Sequence, residues 1–88
     1  MLTVEAGMAA RSLAGHDKGQ WYLILRVEGR EVWLIDGKTR TKDRPKKKNV
    51  RHIQPAKTGA DIETMDNGAV VALLKRLNRE DQEEKQDV

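Results

Sequence analysis

Closely spaced turn signals constrain the first 55 residues of this chain more than any other feature. Glycine marks turns in GHDKG (residues 15–19), EGR (28–30) and DG (36–37), and the segments between them are rich in branched and aromatic residues. A parallel sheet needs crossover connections of about a dozen residues or more, which these turns do not provide. We therefore predict five antiparallel strands, at residues 8–13, 20–27, 31–35, 38–42 and 50–54.

Strands of this number and length favour a small closed barrel, because closure removes the exposed sheet edges that promote aggregation. The expected fold class is mainly β, with a five-stranded antiparallel barrel over residues 1–57. QWYLILRV (residues 20–27) is apolar on both faces. Since side chains alternate between the faces of a strand, this run predicts a long, bent strand that serves two sides of the barrel.

The C-terminal third follows a helical period. Four apolar residues recur at the spacing of one helix face: Val70, Leu73, Leu74 and Leu77. This pattern predicts an amphipathic helix over residues 66–80, capped by Asp66 or Asn67, after a linker at 58–65. The polar, mostly acidic residues 81–88 are expected to form a flexible, disordered tail. The apolar stripe either docks on the barrel, which we favour, or binds a partner protein.

The net charge of +3 hides a strong asymmetry. Residues 1–57 hold 13 of the 17 Lys and Arg and 6 of the 14 Asp and Glu, which gives +7 there and −4 in residues 58–88. A basic body of this kind favours a polyanionic partner, and nucleic acid is the commonest one. No apolar run approaches the roughly 18 residues of a membrane span. The N-terminus lacks the basic start of a signal peptide, so we expect a cytoplasmic protein without membrane contact.

The adjacent His16 and Asp17 do not predict an active site. Neighbouring side chains point to opposite sides of an extended chain, whereas a catalytic base and its orienting carboxylate share a hydrogen bond. A phosphate-binding loop is excluded because GHDKG leads into a strand and not a helix, and no Ser or Thr follows its lysine. The chain has no cysteine and no paired carboxylates or metal cluster. We therefore expect no enzyme, no catalytic residues, no metal and no cofactor or small-molecule substrate.

GHDKG is instead predicted to be a turn between two strands. Gly15 and Gly19 can take positive φ without strain. Asp17 can accept hydrogen bonds from turn amides. Lys18 is then directed outward, where it can meet a phosphate group.

A strand, Gly-x-x-Lys-Gly and an apolar strand together resemble the KOW motif of ribosomal proteins and transcription elongation factors. The motif is GMAARSLAGHDKGQWYLILRV (residues 7–27), with Gly15, Asp17, Lys18 and Gly19 in its turn. LIDGKTR (34–40) and RPKKKNVRHIQP (44–55) resemble the later strands and basic loop of eukaryotic-type large-subunit ribosomal KOW proteins, and still more those of the small bacterial KOW proteins related to them. Tyr22 stands where the common motif has a second glycine, although the ribosomal subgroup tolerates a larger residue there. The resemblance implies an SH3-like barrel that binds RNA, often ribosomal RNA, without enzymatic activity or cofactor.

The basic residues between 38 and 51 are the main candidate contacts for RNA. On the predicted strand 38–42 alternate side chains share one face, and the loop 44–48 extends that face as a mobile basic tip. With their polar neighbours and the KOW turn, the candidate residues are Lys18, Lys38, Arg40, Lys42, Arg44, Lys46, Lys47, Lys48, Asn49, Arg51, His52 and Arg11. Alternating lysines also blunt a sheet edge against aggregation, so a purely protective role stays open.

Few rings are present for stacking on single-stranded bases: Trp21, Tyr22 and Trp33. We therefore expect recognition of structured RNA, ribosomal or ribosome-associated, through its backbone and shape. Changing Lys46, Lys47 and Lys48 together to Glu is expected to abolish binding with the fold intact. The alternative is an SH3-like protein–protein adapter in translation or transcription, although SH3 peptide grooves are lined with aromatic rings.

Overall fold

The computed structural model describes residues 3–86, with side chains up to Asp81. Its regular elements are β1 (Ala9–Ser12), β2 (Trp21–Glu28), β3 (Glu31–Ile35), β4 (Lys46–Asn49), a 3₁₀ turn (Val50–His52), β5 (Ile53–Ala56) and α1 (Asn67–Gln86). No helix within residues 3–86 is long and apolar enough to cross a membrane.

All five strands form one antiparallel sheet in the order β4-β3-β2-β1-β5. The predicted mainly β class with one C-terminal helix is therefore confirmed. The predicted closure into a barrel is not found, because β4 and β5 are the two edges of an open sheet in the described part of the chain. The 3₁₀ turn separates these two strands, and β5 pairs with β1 and not with β4.

The fourth strand lies later in the sequence than predicted. Residues 38–42 are not a strand, because the Asp36 side chain organises them as a loop. The backbone N–H groups of Lys38 and Arg40 each donate to Asp36 Oδ1 at 2.8 Å, so these groups are satisfied locally. The fourth strand is β4, inside the segment predicted to be a loop, and its first residue Lys46 pairs with Leu34 of β3.

The fifth strand is also displaced. Val50–His52, predicted as strand, form the 3₁₀ turn, whose start is capped by Asn49 Oδ1 accepting the Arg51 N–H at 2.9 Å. β5 then includes Pro55, which lies beyond the predicted strand 50–54. Proline is tolerated there because an edge strand needs no inter-strand donor on its outer side.

Both faces of β2 are buried, as predicted for QWYLILRV, but one of them is covered by the helix α1 and not by a second side of a barrel. One core contains Met8, Ala10, Tyr22, Ile24, Val32, Leu34 and Ile53. The other contains Ala9, Leu23, Ile35, Ile62, Val70 and Leu74. The second core is the interface between the sheet and α1. The apolar run in QWYLILRV therefore reflects a strand covered by α1 on one side and packed into the first core on the other.

The helix α1 docks on the sheet through Val70 and Leu74, which are buried. Asp66 caps its start, since Asp66 Oδ1 accepts the Ala69 N–H at 2.8 Å. The helix continues to Gln86, so residues 81–86 are helical where a disordered tail was predicted. The rest of that predicted tail, residues 87–88, lies outside the described residues.

Candidate nucleic-acid interface

The turn between β1 and β2, residues 13–20, is built around two glycines. Gly15 and Gly19 have φ values of +87° and +90°, a region that residues with a Cβ enter only at a cost. The Gly19 N–H donates to Ser12 O at 2.8 Å and closes the turn. The predicted role of these glycines in shaping turn 13–20 is therefore confirmed.

The Asp17 carboxylate is the centre of a buried side-chain cluster, with only 8% of the side chain exposed. Its Oδ1 accepts hydrogen bonds from Ser12 Oγ at 2.7 Å and Lys48 Nζ at 3.0 Å. Its Oδ2 accepts from Tyr22 Oη at 2.7 Å and Lys46 Nζ at 2.8 Å. Turn amides were the predicted donors, whereas every donor to this carboxylate among the described residues is a side chain.

The surroundings of the Asp17 cluster determine the protonation states of Asp17 and Tyr22. Burial alone would raise the pKa of Asp17, but hydrogen bonds from Lys46, Tyr22, Ser12 and Lys48 hold it well below its usual range. Burial, together with the neighbouring Asp17 charge and hydrogen bond, raises the pKa of Tyr22 above its usual range. At neutral pH the Asp17 carboxylate is therefore ionised and the Tyr22 phenol is neutral.

Strand alternation divides the three consecutive lysines of β4 between two environments. Lys46 and Lys48 project toward Asp17, and the Lys48 side chain is only 11% exposed. Lys47 projects to the other side, where its ammonium group lies 3.5 Å from Glu31 and its side chain is 58% exposed. Two of the candidate RNA contacts are thus engaged in ion pairs inside the protein.

The loop between β3 and β4 holds four further candidates, and we call residues 37–44 the basic loop. Asp36 Oδ1 binds the backbone of this loop, and Arg40 O accepts the N–H groups of Asp36 and Gly37 at 2.8 and 3.0 Å. Four exposed cationic side chains project from the basic loop: Lys38, Arg40, Lys42 and Arg44. Among the described side chains, no carboxylate lies within 4.0 Å of their charged groups.

Two contacts bring turn 13–20 and the basic loop to the same end of the sheet. Gln20 Nε2 lies 3.5 Å from Asp36 Oδ2, directly before the loop, and Lys46, two residues after the loop, binds Asp17 in the turn. Lys18 is exposed in that turn. We call the resulting surface the basic end, and it consists of Lys18, Lys38, Arg40, Lys42 and Arg44.

The remaining candidates take separate positions. Arg51 and His52 are exposed on the 3₁₀ turn, which abuts turn 13–20 because the Leu13 N–H donates to His52 O at 2.8 Å. Asn49 is occupied as the cap of the 3₁₀ turn. His52 therefore flanks the basic end, whereas the 3₁₀ turn that carries Arg51 begins beside the β2–β3 turn, where the Val50 N–H donates to Arg30 O at 2.7 Å.

Arg11 lies apart from the other candidates. Its neighbour Ser12 faces the Asp17 cluster, so Arg11 projects to the opposite face of the sheet, toward α1. There Arg11 Nη1 lies 3.6 Å from Asp81 Oδ1. This candidate contact is thus on the helix side of the molecule.

Sequence reasoning missed the parts that Ser12 and Tyr22 play in the Asp17 cluster. Tyr22 was noted as a departure from the KOW pattern and as a ring for base stacking, yet its hydroxyl group binds Asp17 and its residue is only 2% exposed. The available signal was a tyrosine inside an apolar strand, because a buried hydroxyl group requires a hydrogen-bond partner.

Comparisons with protein-family models and with curated proteins found no relative of this chain. The candidate interface is therefore assigned from its own charges and contacts.

Proposed function

We propose that this protein is a non-enzymatic RNA-binding protein that binds structured RNA, ribosomal or ribosome-associated, through phosphate contacts from its basic end. The proposal takes the sheet to be the SH3-like sheet of a KOW domain. Two features support this relation: the strand–Gly-x-x-Lys-Gly–strand unit with both glycines at positive φ, and the single antiparallel sheet of five short strands.

The proposal is carried by one observation, the grouping of exposed cations at the basic end. Turn 13–20 contacts the two residues that flank the basic loop, through Gln20–Asp36 and Asp17–Lys46, so the turn and the loop lie at the same end of the sheet. The cations of the basic end have no ion-pair partner among the described side chains. Such a surface attracts a polyanion and gains affinity by releasing its condensed counterions.

The Asp17 cluster shifts the expected phosphate contacts away from β4. Lys46 and Lys48 neutralise the buried Asp17 carboxylate. If either lysine moved to contact a phosphate, that carboxylate would lose one of its two positively charged partners. In this proposal they hold turn 13–20 against β4, and Lys18 and the basic loop contact the RNA. Lys47 stays a minor candidate, since it is exposed but paired with Glu31.

Aromatic placement favours RNA over a peptide ligand. Tyr22 is buried, and the Arg26 guanidinium lies 4.3 Å from the centroid of the Trp33 ring. Among the described residues, Leu13 is the one large apolar side chain classed as exposed. A peptide adapter of the SH3 type needs a groove lined with several exposed rings, and the buried Tyr22 and the Arg26-covered Trp33 do not contribute to one.

The proposal is tested by fluorescence anisotropy of a labelled ribosomal RNA hairpin over a series of salt concentrations. The interface variant is Lys38→Gln with Arg40→Gln and Arg44→Gln. The control variant removes the same charge elsewhere, with Arg30→Gln, Lys47→Gln and Lys57→Gln. All six side chains are exposed, so both variants are expected to fold.

We expect wild-type affinity to fall steeply with salt, and the interface variant to reduce the slope of log K against log salt concentration by about three. The control is expected to keep most of the wild-type slope. Equal effects of the two variants would show that binding is not localised at the basic end, and absence of binding by the wild type would refute the proposal.

A further inference from the structure

A groove lies where α1 meets the sheet, directly beside the basic loop. Its volume is about 260 Å³, and its apolar floor is formed by Trp21, Val71 and Leu74. Lys38 belongs both to the basic loop and to the rim of this groove. An RNA bound at the basic end would therefore lie next to the groove mouth.

The rim of the groove carries charges and amides suited to a nucleotide. Lys38 and Lys75 are exposed, and no described carboxylate lies within 4.0 Å of either ammonium group. Gln20 and Asn78 add one side-chain amide from turn 13–20 and one from the helix. Each amide can both donate and accept hydrogen bonds, so the pair can bind the polar edge of any base.

Asp36 also lines the groove, but its carboxylate is already engaged. Oδ1 accepts the backbone N–H groups of Lys38 and Arg40 at 2.8 Å, and Oδ2 lies 3.5 Å from Gln20 Nε2. Hydrogen bonds to a carboxylate spread and compensate its charge. The net electrostatic character of the rim is therefore set by Lys38 and Lys75, and it favours an anion.

The size of the groove restricts what it can hold. Pockets for drug-sized ligands have volumes of about 300–1,000 Å³, so this groove suits only a small part of an RNA chain. A single base with its ribose presents one flat apolar face and one polar edge. These match the Trp21 floor and the amide-bearing rim.

We infer that this groove binds one unpaired nucleotide of the RNA, its base against the apolar floor and its backbone phosphate between Lys38 and Lys75. The inference rests on the proposed function and adds that an unpaired nucleotide is the element of RNA structure that the protein recognises. Bases inside a duplex have both faces covered by their neighbours, so a regular helix cannot fill the groove. The preferred ligand is a hairpin with a bulged or extruded nucleotide next to the helix that contacts the basic end.

The test compares two labelled RNA hairpins that differ only in a single bulged nucleotide. Asn78→Trp fills the groove from an exposed position on α1. Ala72→Trp places the same side chain at an exposed position of α1 that does not line the groove, and is the matched control. We expect the wild type and Ala72→Trp to bind the bulged hairpin about tenfold more tightly, as base–aromatic contacts typically allow. Asn78→Trp is expected to bind both hairpins equally.

Tryptophan fluorescence gives a second readout, because the chain has two tryptophans. In Trp33→Phe only Trp21 remains, and the bulged hairpin is expected to change its emission more than the unbulged hairpin does. In Trp21→Phe only Trp33 remains, which does not line the groove, and the two hairpins are expected to have the same small effect.

The outcomes separate this inference from the proposed function. Tight, salt-dependent binding of both hairpins without preference would overturn the inference and leave the proposed function standing. Retention of the preference for the bulged hairpin by Asn78→Trp would likewise overturn the inference and leave the proposed function standing. Failure of both hairpins to bind would overturn the inference together with the proposed function.

Discussion

The Lys46 ammonium group lies 2.8 Å from the Asp17 carboxylate, although 29 residues separate the two in sequence. The contact joins turn 13–20 to β4, which is an edge of the open sheet. Lys48 adds a second link to the same carboxylate at 3.0 Å. Side-chain contacts therefore hold turn 13–20, which carries Lys18, against β4. In the described part of the chain, no strand pairing joins these two segments.

Replacing Asp17 by Asn is expected to destabilise the protein strongly. The amide keeps the size of the side chain but leaves Lys46 and Lys48 without their counter-charge in a largely buried position. Breaking such a pair costs about 3–5 kcal/mol, and the partial exposure of Lys46 places the expected loss near the lower end, about 3 kcal/mol. Urea denaturation measures this change, and a loss below about 1 kcal/mol would show that the cluster is not a stabilising centre.

The Asp17 cluster also predicts how stability depends on pH. The folded chain holds the pKa of Asp17 well below its ordinary value of 3.8, so the carboxylate stays ionised while the unfolded chain takes up a proton. The stabilisation is thus complete above about pH 4 and is lost progressively as the pH falls below that value. The difference in unfolding free energy between wild type and Asp17→Asn should be constant near neutral pH and shrink toward about pH 2. A difference that stays constant through this acidic range would contradict the assignment.

Tyr22 provides a spectroscopic test of the same cluster, since it is the one tyrosine in the chain. Burial and the adjacent Asp17 raise its pKa above the ordinary value of 10.0, so the phenol resists ionisation as long as the protein is folded. We expect tyrosinate absorbance to appear near pH 10 in concentrated urea and only at distinctly higher pH without urea. Because only the unfolded chain ionises in this window, stability should fall as the pH rises above about 10. Coincident titrations in the two solvents would refute the buried Tyr22–Asp17 hydrogen bond.

The parts of the fold that sequence predicted correctly follow from local chemistry. Gly15 and Gly19 shape turn 13–20 because only glycine enters positive φ without strain, and Asp66 caps α1 because a free carboxylate can bind orphan amides. The helical stripe that includes Val70 and Leu74 predicted the docked face of α1. Each of these signals lies within a few residues of the structure it determines.

The parts that sequence did not predict depend on distant contacts. Residues 38–42 alternate as a strand should, and Lys46–Asn49 do not, yet the latter form β4. Asp36 satisfies the backbone of the first segment, while Asp17, nearly 30 residues away, provides the charge that places Lys46 and Lys48. Nothing in the local pattern distinguishes a lysine that faces a buried carboxylate from one that faces solvent.

Lys47 and Lys48 of β4 are therefore expected to differ sharply when they are replaced singly by Met. Lys48→Met should cost about 2 kcal/mol, because it removes a nearly buried partner of Asp17. Lys47→Met is the control on the same strand and should change stability by less than about 0.5 kcal/mol, since its pair with Glu31 is exposed. Urea denaturation distinguishes the two variants, and equal losses would contradict the alternation described for β4.

The same geometry changes the expectation for the triple Glu variant of Lys46, Lys47 and Lys48. Two of the new carboxylates would face Asp17, so we now expect the variant to unfold and to lose RNA binding for that reason. Circular dichroism measures this directly. A folded triple variant without RNA binding would restore the original expectation that these lysines contact RNA.

Gly37 is expected to be essential for the docking of α1 on the sheet. Its φ is +81°, and a Cβ there would lie 2.5 Å from Asn67 O and 2.9 Å from Val71 Cγ2, both in the first turns of the helix. Gly37→Ala therefore combines backbone strain with a clash that neither helix nor loop can relieve without separating. The expected loss is about 3 kcal/mol, of which about 1–2 kcal/mol is the strain of a left-handed alanine.

Gly29→Ala isolates the contribution of the clash. Gly29 also has positive φ, at +58°, but a Cβ there would meet nothing within 4 Å, so only the strain remains. We expect Gly29→Ala to cost about 1 kcal/mol in urea denaturation, clearly less than Gly37→Ala. Because Val71 also forms part of the groove floor, Gly37→Ala should in addition weaken binding of the bulged hairpin relative to the unbulged one. Equal stability losses in the two alanine variants would mean that the contact between Gly37 and α1 does not hold the helix in place.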